Sequence, residues 1–181
     1  ELSIFWAYKI ILHNIHEFPD LSLDRAEKML DQMFHFYQRS GYSVRPYYYL
    51  RCLFYLNTGQ REKAVESFEK VQQMQRTEVD DCLACESGGF LHYYRVFEQQ
   101  EKCIEVVQPV LDGIQSCAEE PHRTYSDVLR PLTLLGRVEE ADKYQAKGYK
   151  LIKDNQNFLK YLGFQIAFLV HRDKLTKAIG I

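Results

Sequence analysis

The sequence predicts an all-α solenoid, an α-α superhelix of about five helical hairpins with the last incomplete. Three observations carry this. A small residue recurs as Ala26, Ala64, Cys103, Ala141 and Ala178, at intervals of 38, 39, 38 and 37 positions. A turn comes before it (Asn57-Thr58-Gly59-Gln60, Phe97-Glu98-Gln99-Gln100, Leu135-Gly136-Arg137) and an apolar stripe follows it. Helix-period apolar spacing fits throughout, and no segment sustains strand alternation between hairpin turns. Self-similarity of this kind describes units that bury their apolar faces against the next unit. The chain is expected to form one repeat domain over 1–181, with units near 1–41, 42–78, 79–117, 118–155 and 156–181.

The elements follow in order. In the first unit the spacing predicts helices over Leu2–Ile15 and Leu23–Gln38, with Phe18-Pro19-Asp20 between them. The second unit is clearest: Arg45–Asn57, with Pro46 suited to a first turn, then Arg61–Met74, with Ala64, Val65, Phe68 and Val71 on one face. The third predicts Cys82–Phe97 and Glu101–Ile114, and the fourth His122–Leu135 and Val138–Lys153. Pro131 and Pro109 lie inside two of these helices and should kink them, because each removes a backbone donor. The fifth runs Phe158–His171 and restarts near Lys174. The first helix begins abruptly at Glu1, and neither end shows the polar face of a terminal repeat. A fragment of a longer chain is therefore expected, or a homo-oligomer through uncapped ends.

These residues resemble the tetratricopeptide repeat family. Its signature wants an aromatic, a small residue, an aromatic, a turn glycine, an alanine, an aromatic and a small apolar residue. The second unit supplies Tyr48, Cys52, Tyr55, Gly59, Ala64, Phe68 and Val71. The third supplies Tyr94, Cys103, Val107 and Val110, with Ser87 and Glu98 where an aromatic and a glycine are expected. The fourth supplies Tyr125, Gly136 and Ala141, with Gln145 in place of the second-helix aromatic. The family's period of roughly 34 residues is stretched here by linkers. The resemblance implies a right-handed superhelix whose first helices line a concave groove. It assigns that groove to Tyr49, Leu53 and Asn57, then His92 and Arg95, then Arg123, Ser126 and Arg130. Guanidinium groups in a cleft suit carboxylates or phosphates, so a peptide with acidic groups is one expectation. Arginines paired with neighbouring glutamates are the other.

Composition narrows the function. With 46% apolar and 27% charged residues, a packed core is available. A formal net charge of −2 gives no electrostatic case for nucleic acid, although thirteen tyrosines offer rings for stacking. On the helix, Tyr47-Tyr48-Tyr49 should point three ways, leaving at least one ring exposed. The longest apolar run, Phe158–Val170, is too short to span a bilayer and no secretory leader opens the chain. Five cysteines, an odd number in a chain of 181 residues, favour a reducing cytoplasm.

Cysteine spacing provides the sharpest chemical signal. Cys82-Leu83-Ala84-Cys85 is a C-x2-C pair, and Cys117-x4-His122 follows 32 residues after Cys85. In stacked hairpins successive first helices run parallel at roughly 9 Å, which brings the start of the third unit beside that of the fourth. Three thiolates and an imidazole would close a tetrahedral shell, which makes a zinc ion there structural. A helix N-terminus favours thiolates, and Gly88 and Gly89 would let the knuckle turn tightly before the helix begins. Cys52 and Cys103 occupy small-residue repeat positions and are assigned to the core. The alternatives for Cys82, Cys85 and Cys117 are plain reduced thiols or a redox pair, though no strand-helix-strand context surrounds the C-x2-C.

No nucleophile elbow, phosphate loop, dinucleotide fingerprint or HExxH motif occurs, so no catalytic residues are assigned. His13, His16, His35 and His171 read as surface histidines. The leading expectation is a cytoplasmic, non-enzymatic protein- or peptide-binding scaffold stiffened by structural zinc, engaging neither nucleic acid nor membrane. The alternatives are a peptide-sensing regulatory domain of a larger bacterial-type regulator and a cysteine redox switch.

Overall fold

The computed structural model describes residues 2–181, so the abrupt start at Glu1 lies outside the described residues. All regular structure among the described residues is helical. The helices are α1 (Leu2–His13), α2 (Leu23–Arg39), α3 (Arg45–Asn57), α4 (Arg61–Gln73), α5 (Leu83–Val96), α6 (Gln100–Leu111), α7 (Thr124–Asp127), α8 (Leu129–Leu134), α9 (Val138–Ile152), α10 (Leu159–His171) and α11 (Leu175–Ile179). Short 3-10 turns occupy Ile15–Glu17 and Gln156–Phe158. The chain divides into two compact units, Glu1–Asp81 and Cys82–Ile181.

One turn geometry recurs in both units. Gly59, Glu98, Gly136 and Asp173 all take left-handed backbone, with φ of 77°, 56°, 72° and 53°. After each, an N–H reaches back five residues: Gln60 to the Tyr55 carbonyl, Gln99 to Tyr94, Arg137 to Leu132 and Lys174 to Leu169, all at 2.9 Å. This is the Schellman closure of a helix C-terminus. The recurring small residue then makes the first bond of the next helix, from Ala64 to the Gln60 carbonyl, Cys103 to Gln99, Ala141 to Arg137 and Ala178 to Lys174. Ala26, Ala64, Cys103, Ala141 and Ala178 are all buried. The repeat therefore marks the point where two helices meet too closely for a large side chain.

Glu98 is informative because an L-residue in left-handed backbone costs roughly 1–2 kcal/mol. Replacing it with glycine removes that cost and adds a smaller unfolded-state entropy penalty. Glu98→Gly is expected to stabilise the chain by up to about 1 kcal/mol, read as a higher midpoint in urea at unchanged slope.

In the N-terminal unit, α3 and α4 form one tight hairpin, with α1 and α2 packed against α3. Ser22 caps α2 by accepting the Arg25 N–H at 3.3 Å. The interior is aromatic: Phe5 stacks on Phe36 at 4.4 Å and meets Tyr37 and Tyr42 edge-on. Tyr47 and Tyr49 are buried and Tyr48 is half-buried, so none of the three rings stands free, contrary to the expectation. The Tyr47 hydroxyl donates to Asp31 at 2.9 Å and accepts from Arg51. The segment after α4 is held by buried charge. Arg45 meets Asp80 at 2.8 Å, and Lys9 meets Asp81 at 2.7 Å, donates to the Val79 carbonyl at 2.9 Å and lies 3.5 Å from the centre of the Trp6 ring.

The C-terminal unit opens with the α5–α6 hairpin, and its core joins Leu91, Cys103, Val107, Leu129, Leu132, Ala141, Phe168 and Leu169. The helix expected over His122–Leu135 is instead broken into α7 and α8. Pro131 is the cause: with no N–H it leaves the Asp127 carbonyl without its helical donor. Val128 still donates to the Thr124 carbonyl and Leu132 to that of Val128, both at 3.0 Å. Pro109 is accommodated within α6, which ends two residues later at Leu111. Gln145 is buried and accepts from Lys177 at 2.5 Å.

Candidate metal centre

Cys82 is the N-cap of α5, in extended backbone, and its sulfur accepts the Cys85 N–H at 3.4 Å. That contact fixes the C-x2-C knuckle, since capping places residue i+3 over the capping side chain. Cys117 arrives on the connection between α6 and α7. Its own N–H donates to the Glu120 carbonyl at 3.0 Å, and its sulfur accepts the Glu119 N–H at 3.4 Å. The sulfurs of Cys85 and Cys117 touch at 3.4 Å, and those of Cys82, Cys85 and Cys117 all lie within 4.8 Å of one another. Among the described residues this is the one group of three or more such donors close enough to hold a metal ion. Cys82 is exposed, while Cys85 and Cys117 are half-buried.

The electrostatics differ from the expectation of an activated thiolate. Burial, reinforced by hydrogen bonding to the Cys117 and Cys82 sulfurs, pushes the Cys85 thiol well above its ordinary value. Desolvation outweighs the helix terminus here, so a cation is needed to hold charge on this sulfur. Two backbone N–H groups already point at the other two sulfurs, the polarity a metal-bound thiolate needs.

His122 stands outside the sulfur group. Its ring stacks on Phe158 at 5.2 Å and 9°, and its Nδ1 is buried with no hydrogen-bond partner among the described residues. Three of the four expected ligands thus converge, and the fourth carries an unsatisfied nitrogen. Gly88 and Gly89 lie inside α5, not in a turn before it. The role of Gly88 is close approach: a Cβ there would come 3.1 Å from Oε1 of Glu120. Glu120 is buried against this helix, accepts the Thr124 N–H at 2.9 Å, and has its carboxyl pushed up by desolvation.

The expected groove residues fare differently. Tyr49 and Ser126 are buried, which corrects their reading as groove lining. Ser126 instead accepts from the buried Gln165 at 2.8 Å. The Asn57 amide donates to the Leu53 carbonyl at 2.8 Å, within its own helix. Arg95 is paired with Asp127 at 2.7 Å, lies 3.0 Å from Nδ1 of His92 and covers the Phe164 ring. Arg123 meets Glu120 at 3.3 Å and Glu119 at 3.5 Å. Arg130 alone of the three arginines is exposed. Arg123 thus pairs with neighbouring glutamates, as the second expectation had it, whereas Asp127 lies 32 positions from Arg95 and meets it only through packing. Cys52 and Cys103 are buried as expected, with desolvation pushing their thiols up to about 12 and about 11. No helix of the described residues is long and apolar enough to cross a membrane. Comparison with family models, with curated proteins and with solved structures finds no match.

Proposed function

We propose that this chain is a non-enzymatic protein-binding scaffold of stacked helical hairpins, coiled as a right-handed superhelix like the tetratricopeptide repeats. A zinc ion bound by Cys82, Cys85, Cys117 and His122 stiffens its C-terminal half. The observation that carries the metal reading is the convergence of three sulfurs from segments 32 residues apart. A soft donor set of this kind selects zinc among common intracellular divalent ions. The orphaned Nδ1 of His122 fits a fourth ligand, since a buried nitrogen without a partner otherwise carries a desolvation cost. Bound there, the ion would tie the start of α5 to the α6–α7 connection. Such a link is worth most where a long connection has few packed side chains of its own.

The scaffold reading rests on the turn repeated at Gly59, Glu98, Gly136 and Asp173 and on apolar side chains left exposed along single helices. Ile4, Ile10 and Ile11 are exposed on α1, and Leu159, Ile166 and Val170 on α10. Unpartnered apolar stripes mark surfaces for association. An acidic partner draws support only from Arg130, because Arg95 and Arg123 already face carboxylates of this chain.

Elemental analysis of protein purified without added metal tests the centre. The expected result is about one zinc per chain, lost in Cys82→Ser and Cys117→Ser. X-ray absorption should show sulfur-dominated coordination with an imidazole signature that His122→Ala removes. Protein free of metal, with three freely alkylated thiols, would sink the reading.

A further inference from the structure

A direct sulfur–sulfur contact joins the two segments, outside the C-x2-C pair that the spacing singles out as a redox couple. Cys85 and Cys117 touch at 3.4 Å. Closing that gap to a disulfide takes a shift of about 1.4 Å, since the bond is about 2.05 Å long. Cys117 rides on a connection outside any helix, so the approach needs no helix to move. Cys82, by contrast, is exposed and committed as the N-cap that accepts the Cys85 N–H. Cys85 and Cys117 are both half-buried and sit among the donors that would bind zinc.

We propose that Cys85 and Cys117 are a site of reversible oxidation, closing to a disulfide when a hydroperoxide reaches the cluster, and that disulfide and metal exclude each other. The inference rests on the metal reading above and adds its regulation. One thiolate of the pair attacks a peroxide oxygen: an S–O bond forms, the O–O bond breaks, and the departing alkoxide takes a proton to become alcohol, or water from hydrogen peroxide. The second thiolate attacks that sulfur: the S–S bond forms, the S–O bond breaks, and hydroxide leaves to be protonated to water. The two sulfurs together lose two electrons and the peroxide gains two. Zinc keeps its oxidation state, loses two of its thiolates, and is released. The start of α5 stays tied to the α6–α7 connection, now covalently, so oxidation exchanges a metal clamp for a disulfide at the same place.

The test uses the zinc-loaded chain as isolated. It is treated with hydrogen peroxide, blocked with an alkylating reagent, digested without reduction and mapped by mass spectrometry. Released zinc is followed with a chromophoric chelator. The expected result is a peptide joining Cys85 to Cys117, one zinc released per link, and recovery of both thiols and metal binding after a dithiol reductant and added zinc. Cys52 and Cys103 should stay reduced as internal references, being buried. In Cys82→Ser the Cys85–Cys117 link should still form. A Cys82–Cys85 link in the parent chain overturns the inference, as does a loaded chain that keeps its zinc and its three thiols through the treatment. Both outcomes leave the metal reading standing. A chain isolated without metal overturns that reading, and the exclusion argued here with it.

Discussion

Asp80→Ala is expected to be among the most damaging single substitutions in the N-terminal unit, costing roughly 3–5 kcal/mol. The Arg45 and Asp80 side chains are 5% and 1% exposed, and their charged atoms lie 2.8 Å apart. The other carboxylate oxygen of Asp80 accepts the Thr77 N–H at 2.7 Å, and Arg45 also donates to the Val71 carbonyl at 3.3 Å. One ion pair therefore closes the end of α4 and the turn after it onto the start of α3. Alanine takes away the carboxylate that offsets a buried guanidinium, and it strips the Thr77 turn of its acceptor. The cost is mostly the desolvation of a charge left behind, not the worth of the pair itself. A double variant distinguishes the two. Arg45→Met with Asp80→Leu removes both charges and should recover most of the stability, giving a coupling energy well above that of an exposed pair. Urea denaturation of the parent chain, Arg45→Met, Asp80→Leu and the double variant measures it. A double-variant loss equal to the sum of the two single losses would show that the two charges do not act as a pair.

How much of this was legible in the sequence depends on how local the cause is. The hairpins were legible because their signal is one residue deep. A small side chain sits where two helices meet, and the residue five positions earlier takes left-handed backbone. Glu98 and Asp173 hid that geometry in two of the four turns, since neither is the glycine that the conformation favours. The bounds of α3 match the spacing residue for residue, whereas the helix over His122–Leu135 broke where a proline withheld a donor.

The candidate site was legible to the extent that repeat register is. Cys82 and Cys85 belong to one helix start, and bringing Cys117 to them required only that hairpins pack in order. The position of the His122 ring was beyond such reasoning, because it is set by stacking on Phe158, which comes 36 residues later. The surroundings of the groove residues were hidden for the same reason. Burial of Tyr49 and Ser126, and the Asp127 carboxylate opposite Arg95, are tertiary facts with no fixed spacing, whereas the glutamates beside Arg123 stand three and four positions before it.

Removing the proposed zinc ion is the second perturbation with a large expected effect. An ion that binds only the folded state, at a free concentration a thousandfold above its dissociation constant, stabilises by about 4 kcal/mol. For a unit the size of Cys82–Ile181, that corresponds to a fall in midpoint on the order of 15–30 °C. Treatment with a strong chelator should produce this fall in the parent chain. Cys117→Ser should show it without treatment and should not respond further to the chelator, because both act through the same ion. The direction with pH follows from the ligands. Thiolates and a neutral imidazole must lose protons to bind, so loading releases protons and the metal's contribution shrinks as pH falls. Cys85 sharpens that dependence, since burial holds its thiol protonated until a cation offsets the charge. Differential scanning calorimetry at several pH values, with and without chelator, measures the gap between the two midpoints. A gap that is constant with pH, or a Cys117→Ser chain that still responds to chelator, would mean that the stabilising ion is not held by these sulfurs.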